Sequence, residues 1–176
     1  MIQLKDKTFT PFIQAATIQA RIAQIANELD QEYSEKNPVF IVMLKGAFLF
    51  AADLLKNVTT NCEIIFIRLK SYEGTHSTGQ VKVLLGIQED LKNRHVIILE
   101  DIVDSGKTLH DFLPMLQQEK PASIKVATLL FKPESLKYDI KPNFVGFEIS
   151  NEFVVGYGLD YDELGRNLPD IYQVIL

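Results

Sequence analysis

Ile18, Ile22, Ile25 and Leu29 recur once per helical turn, with Arg21, Gln24 and Glu28 on the opposite side. That spacing predicts an amphipathic helix over about residues 11–33. Asn37-Pro38 ends it. The pattern then changes. Residues 39–44 are a continuous apolar run, which reads as a strand covered on both faces. Lys45-Gly46 turns the chain, 47–56 reads as a helix and 63–69 as a second strand. Residues 71–80 hold Gly74 and Gly79 and no apolar period, which predicts a loop. Strands are expected at 81–86, 96–99 and 124–131, a helix at about 107–118, and one or two short strands within 144–157.

Strands alternating with helices predict an α/β fold with a mostly parallel central sheet flanked by helices. Ligands of such sheets gather beyond the C-terminal strand ends, at a topological switch point. Lys45-Gly46, Glu100-Asp101 and Lys132 each fall just past an expected strand end. Separate segments thus point to one shared site.

A chain of 176 residues is most simply one domain, 1–176, with enough apolar content to bury a core. The net charge of −5 disfavours a surface for nucleic acid, which needs basic patches. Cys62 is the only cysteine, so no internal disulfide forms, as suits a reducing cytosol. Its apolar setting marks it as a small core residue. The first residues lack a signal-peptide core and no segment has bilayer-spanning length, so a cytoplasmic protein without a membrane partner is expected. His76, His95 and His110 show no metal-ligand spacing. They read as loop surface, strand edge and helix surface.

The most informative stretch is 96–109. Val96-Ile97-Ile98-Leu99 runs into the acidic pair Glu100-Asp101, then through Asp104-Ser105-Gly106-Lys107-Thr108 into a helix. That turn presents backbone N–H groups, hydroxyls and an ammonium toward one point, beside a positive helix end. This is a natural phosphate seat. Three carboxylates stand beside it, and they repel phosphate unless a divalent cation or sugar hydroxyls intervene. The implied ligand carries phosphate at one end and hydroxyls or Mg²⁺-bound groups at the other. A P-loop is excluded, because Asp101 stands where its first glycine is required. Simple helix capping by Asp104 or Ser105 is the bland alternative, and it leaves Glu100 and Asp101 unexplained.

Residues 96–109 resemble the phosphoribosyl-diphosphate (PRPP) motif of type I phosphoribosyltransferases. Leu44-Lys45-Gly46, Lys70-Ser71-Tyr72, Lys132, and the blocks 144–149 and 153–161 narrow the resemblance to the hypoxanthine-guanine members of that family. It runs from about Val39 to the C-terminus and implies a small hood and lid beside the sheet. It also implies transfer of ribosyl 5-phosphate from PRPP to a 6-oxopurine, with release of pyrophosphate.

Under this resemblance Glu100 and Asp101 face the ribose hydroxyls and one Mg²⁺, and Asp104 to Thr108 (Ser105, Gly106 and Lys107 between them) hold the 5′-phosphate. Asp104 becomes the candidate general base for the purine imidazole proton. Arg166 and the backbone at Lys45 and Gly46 meet the pyrophosphate, and Asp160 meets a second Mg²⁺. Lys132 donates to purine O6, Phe153 stacks on the ring, and backbone at Val154 and Asp160 reads the far edge. Ser71 and Tyr72 open a lid over 71–80. The resemblance also implies a cis peptide at 44–45, a purine-binding segment over about 132–166, and a homo-oligomer, dimer or tetramer. Gly165 departs from the family, which often carries an aromatic there. Two alternatives stand beside this reading. One is a ligand-sensing regulator that binds nucleic acid, against which the acidic balance argues. The other is an adenine or pyrimidine transferase, which lacks the 144–161 blocks.

Overall fold

The computed structural model describes residues 1–70, 82–85 and 87–175. The chain opens with two strands, β1 (Ile2–Leu4) and β2 (Lys7–Ile13), before helix α1 (Ala15–Tyr33). Then follow β3 (Val39–Leu44), α2 (Phe48–Asn57), β4 (Glu63–Lys70), β5 (Lys82–Leu85), β6 (His95–Val103), α3 (Lys107–Gln118) and β7 (Ser123–Phe131). The chain closes with β8 (Phe144–Glu148), β9 (Val154–Val155) and β10 (Ile171–Val174). Among the described residues no helix is long and apolar enough to cross a membrane.

The main sheet has the order β5-β4-β3-β6-β7-β8, parallel except for β5 at the edge. Its central strands are buried on both sides, which explains their unbroken apolar sequence. Phe40, Val42, Ile97 and Leu99 pack under α1 and α2, against the predicted stripe Ile18, Ile22, Ile25 and Leu29. Ile41, Met43, Val96 and Ile98 face the other way, under Leu109, Phe112 and Leu116 of α3. Cys62 is partly buried at the edge of the first core, and burial pushes its thiol up.

A second, antiparallel sheet of order β1-β2-β10-β9 forms the hood. It corrects the expected helix over 11–33, whose first residues are strand. Phe9, buried, and Ile13, half-buried, lie on one face of β2, and Phe12 is exposed on the other. Pro11 is tolerated because β1 pairs only along Lys7 to Phe9, so one side of β2 is open at that point. No side chain at the preceding Gln14 caps α1. The Asp170 carboxylate does so instead, accepting the Ala15 N–H at 2.7 Å from just before β10. Tyr157 fastens the hood to the helices: its hydroxyl donates to Asp53 of α2 at 2.5 Å, and Gln19 of α1 donates to the same carboxylate at 2.6 Å.

Strand β6 is longer than expected. It carries Glu100 and Asp101 within the strand rather than past its end. The reason lies in its neighbours. Pairing with β3 stops at Leu99, whereas pairing with β7 continues to Val103. Beyond Leu99 one flank of β6 is therefore open. The chain order reverses between β3 and β6, so this opening is the switch point of the sheet.

Candidate active site

The opening is a cavity of about 340 Å³, lined by Met43 and Leu44 at the end of β3, by Gly46, and by the chain from Glu100 to Leu109. The Leu44–Lys45 peptide is cis. A Cβ on Gly46 would overlap the Asp101 carboxylate, and a Cβ on Gly158, whose φ is +100°, would overlap the Gly46 carbonyl. Three distant segments thus meet with no space for a methyl group. Gly46→Ala is expected to lower stability by about 1–3 kcal/mol, the usual scale of overpacking. A urea midpoint equal to that of the unaltered protein would show that Asp101 can yield.

The phosphate-seat turn is built as the sequence suggests, with one change. Gly106, at φ +79°, is the residue before α3 and has no side chain to cap it. Of the two capping candidates only Ser105 bonds the helix end, and weakly. The Lys107 N–H makes only a long bond of 3.3 Å to Ser105 Oγ, and the first regular helix bond runs from His110 N–H to Gly106 O at 2.9 Å. The first turn of α3 thus offers N–H groups to an anion. The change concerns Lys107, whose ammonium is engaged by Asp111 at 2.7 Å, one turn along the helix. Leu136 and Ile140 lie close under Gly106, and Lys137 N–H bonds Ser105 O at 3.0 Å. The segment after β7 therefore buttresses the turn.

Beside the seat sit two carboxyl groups whose charged form burial disfavours. Burial, with the nearby Asp101, pushes the Glu100 carboxyl well above the usual carboxylate range. Burial pushes Asp101 up to about 6, with Asp160 adding to it. The Ile102 N–H, at 2.9 Å from Oδ1, and Arg166 pull the other way. Among the described residues no three His, Cys, Asp or Glu side chains cluster as a metal cage. Glu100, buried, and Asp101, half-buried, both face the cavity without an ion pair among the described residues, and such carboxylates are nevertheless hard oxygen donors of the kind Mg²⁺ takes when substrate and water complete its shell.

The remaining candidates gather at the rim. Lys132, buried just past β7, donates to Asp104 Oδ2 at 2.9 Å while Asp104 stays half exposed. Arg166 donates to Gly158 O and to Asp160 Oδ1, both at 2.8 Å. Its Nε is buried with no hydrogen-bond partner. Phe153 is 44% exposed, in an aromatic cluster with Phe9 and Tyr161. Val154 is buried and pairs with Gln173 of β10. Gly165 has φ +98° and packs against Leu4 of β1, which accounts for the absence of an aromatic there. His95 opens β6, with Nδ1 2.8 Å from Ser123 Oγ, and His110 stacks on Tyr138 at the surface of α3. Ser71, Tyr72, His76 and the lid 71–80 lie outside the described residues. Sequence reasoning missed Glu163, which bonds Lys45 Nζ at 2.8 and 2.9 Å. Its only signal was an acid between Asp160 and Arg166.

With this geometry in hand, similarity to known proteins is informative. Residues 14–162 match the family model described as a phosphoribosyl transferase domain, and the chain belongs to that family. Its relatives point to one branch. It is 45% identical over 155 residues to the hypoxanthine-guanine phosphoribosyltransferase of Bacillus subtilis, covering 88% of this chain and 86% of that protein. A solved hypoxanthine phosphoribosyltransferase from Staphylococcus aureus superposes with a TM-score of 0.90 at 39% identity, covering 94% of this chain and 91% of that one. A hypoxanthine-guanine phosphoribosyltransferase from Bacillus anthracis gives 0.89 at 38% identity, covering 97% and 99%. The resemblance read from the motifs and the fold class both hold.

Proposed function

We propose that this chain salvages purines by transferring the 5-phosphoribosyl group of PRPP to hypoxanthine and guanine, forming IMP and GMP with pyrophosphate. The observation that carries this reading is the sharing of one cavity by the N-terminus of α3 and two adjacent carboxylates, Glu100 buried and Asp101 half-buried. Such a cavity suits a phosphorylated sugar whose hydroxyls reach the acids.

In this reading the turn from Asp104 to Thr108 binds the 5′-phosphate, and Glu100 and Asp101 face the ribose diol. Lys45, Gly46 and Arg166 take the pyrophosphate. Lys132 donates to O6, which favours a 6-oxopurine over adenine, whose amine would oppose one donor with another. Phe153 stacks on the ring, and backbone at Val154 and Asp160 reads its far edge. Asp104 accepts the imidazole proton as the purine nitrogen attacks. Glu100 and Asp101 would hold one Mg²⁺ and Asp160 a second, and the ions would neutralise the departing diphosphate and clamp the diol. The lid 71–80, hinged at Ser71 and Tyr72, would exclude water from a cation-like ribose.

The activity belongs to one domain, 1–176, working in the cytoplasm without nucleic-acid or membrane partners, as a homo-oligomer, dimer or tetramer. Phe48, Ile64 and Phe66, between 39% and 48% exposed around α2 and β4, are apolar surface that a second copy would cover. The test is pyrophosphate release with PRPP, Mg²⁺ and each of hypoxanthine, guanine, xanthine, adenine and uracil. Release is expected with the 6-oxopurines. Release only with adenine or uracil, or with none, overturns the reading.

A further inference from the structure

Lys45 and Arg166 present an electrostatic problem whenever their anion is absent, since two cations then face one rim. Asp160 meets Arg166 at 2.8 Å, and one further carboxylate reaches both cations. Glu163 receives Lys45 Nζ on both oxygens, at 2.8 and 2.9 Å, and lies 3.4 Å from Arg166 Nη2. Lys45 and Arg166 hold its carboxyl below the usual carboxylate range. A two-oxygen acceptor bridging both cations has the donor pattern of a phosphate group.

We propose that Glu163 is a built-in counter-ion for the pyrophosphate seat. It occupies Lys45 and Arg166 between turnovers, yields them to the diphosphate of the incoming substrate, and competes for them again when pyrophosphate must leave. This rests on the reading of those two cations as the pyrophosphate seat. Glu163 acts through them, so it is a positioning residue.

The loop around Glu163 suits such an exchange. Its backbone is held on the preceding side. The Tyr161 hydroxyl donates to Asp6 at 2.8 Å, Asp162 pairs with Lys5, and the Glu163 N–H bonds Asp160 Oδ2 at 2.8 Å. Asp162 and Glu163 both sit at positive φ, +52° and +66°. Two successive left-handed residues that are not glycine need a surrounding that fixes them, and the turn between β1 and β2 supplies it. The side chain, by contrast, is 63% exposed and turns into water without moving the loop. Asp160, not Glu163, is the nearer partner of Arg166, so Arg166 keeps a carboxylate when Glu163 turns away. The loop thus keeps its shape while one carboxylate is exchanged for another anion.

The test is calorimetric titration of the full chain with inorganic pyrophosphate and Mg²⁺. Glu163→Gln is expected to bind pyrophosphate about threefold to tenfold tighter, the scale of one or two exposed ion pairs. The KM for PRPP falls by a similar factor, and kcat falls with it as pyrophosphate leaves more slowly. Glu163→Asp, which keeps the charge, returns toward the unaltered affinity. A merely structural role moves affinity the other way. Unchanged or weaker binding in Glu163→Gln, or in Glu163→Ala should the first variant fail to fold, overturns the proposal. Lys45→Ala separates two ways of failing. If it weakens pyrophosphate binding, the seat stands and only the role of Glu163 falls. If it leaves binding unchanged, the seat is misassigned and both fall.

Discussion

Asp104→Asn is expected to keep PRPP binding and to lose turnover by about 10²–10⁴-fold, the usual contribution of a general base. Asp104 stands where the phosphate turn opens to solvent, half exposed on one side and bonded to Lys132 on the other. Asparagine has the same shape and still accepts from Lys132 Nζ, so the buried ammonium keeps a partner. What it lacks is a site for the purine proton. The phosphate seat is made by backbone of α3 and is untouched by the exchange. Calorimetry with PRPP and steady-state rates with hypoxanthine check the two halves separately. Full turnover removes the proton-accepting role. Loss of PRPP affinity with kcat preserved would recast Asp104 as a phosphate or ribose contact.

The parts of this molecule that were legible in its sequence are those whose cause lies within about ten residues. The α1 stripe from Ile18 to Leu29 buries as spaced. Helix α3 begins and ends at Lys107 and Gln118 as expected, because Gly106 before it allows the left-handed turn. The apolar runs of β3 and β6 became central strands because nothing but a doubly covered sheet satisfies them. The start of α1 was not legible, because the group that caps it is Asp170 at the other end of the chain. The hood came from the resemblance alone, and its strands at the two chain ends were not placed for the same reason: β10 has four residues, too short for a period, and pairs with a strand near the N-terminus.

The site divides along the same line. The phosphate turn is contiguous backbone, so its chemistry could be read from its residues. The close approach of Gly46, Asp101 and Gly158 joins strand β6 to two turns and left no trace in any of them singly. Lys107 and Glu163 show how side chains escape a sequence reading. A lysine in a phosphate motif looks like a phosphate ligand, yet Asp111 holds it one helical turn away. A glutamate between Asp160 and Arg166 looks like a solvated charge, yet it bridges two segments. The family resemblance supplied what local chemistry did not, namely the roles proposed for Lys132, Phe153 and Asp160.

Asp101→Asn is expected to make the ligand-free protein more stable at pH 7.5 while abolishing its response to PRPP and Mg²⁺. Burial against Gly46 raises the carboxyl of Asp101 to about 6, against 3.8 for the free side chain. Between those values the folded chain binds more proton than the unfolded one, so its stability falls as pH rises through about 6 and stays low above it. The burden at pH 7.5 is on the order of 3 kcal/mol, from 1.36 kcal/mol per unit. Asparagine is neutral and nearly the same shape, and it also relieves Glu100, which the charge of Asp101 helps to raise. The gap in urea midpoint between variant and unaltered protein should therefore close as pH falls from 7.5 toward 4. With PRPP and Mg²⁺ the order reverses, because the unaltered carboxylate then gains a cation and hydroxyl donors that the amide cannot replace. A variant less stable than the parent at pH 7.5 without ligand would mean that Asp101 holds the crevice together. The reversal would mean that the crevice carries this charge at the expense of its own stability, for the ligand to neutralise.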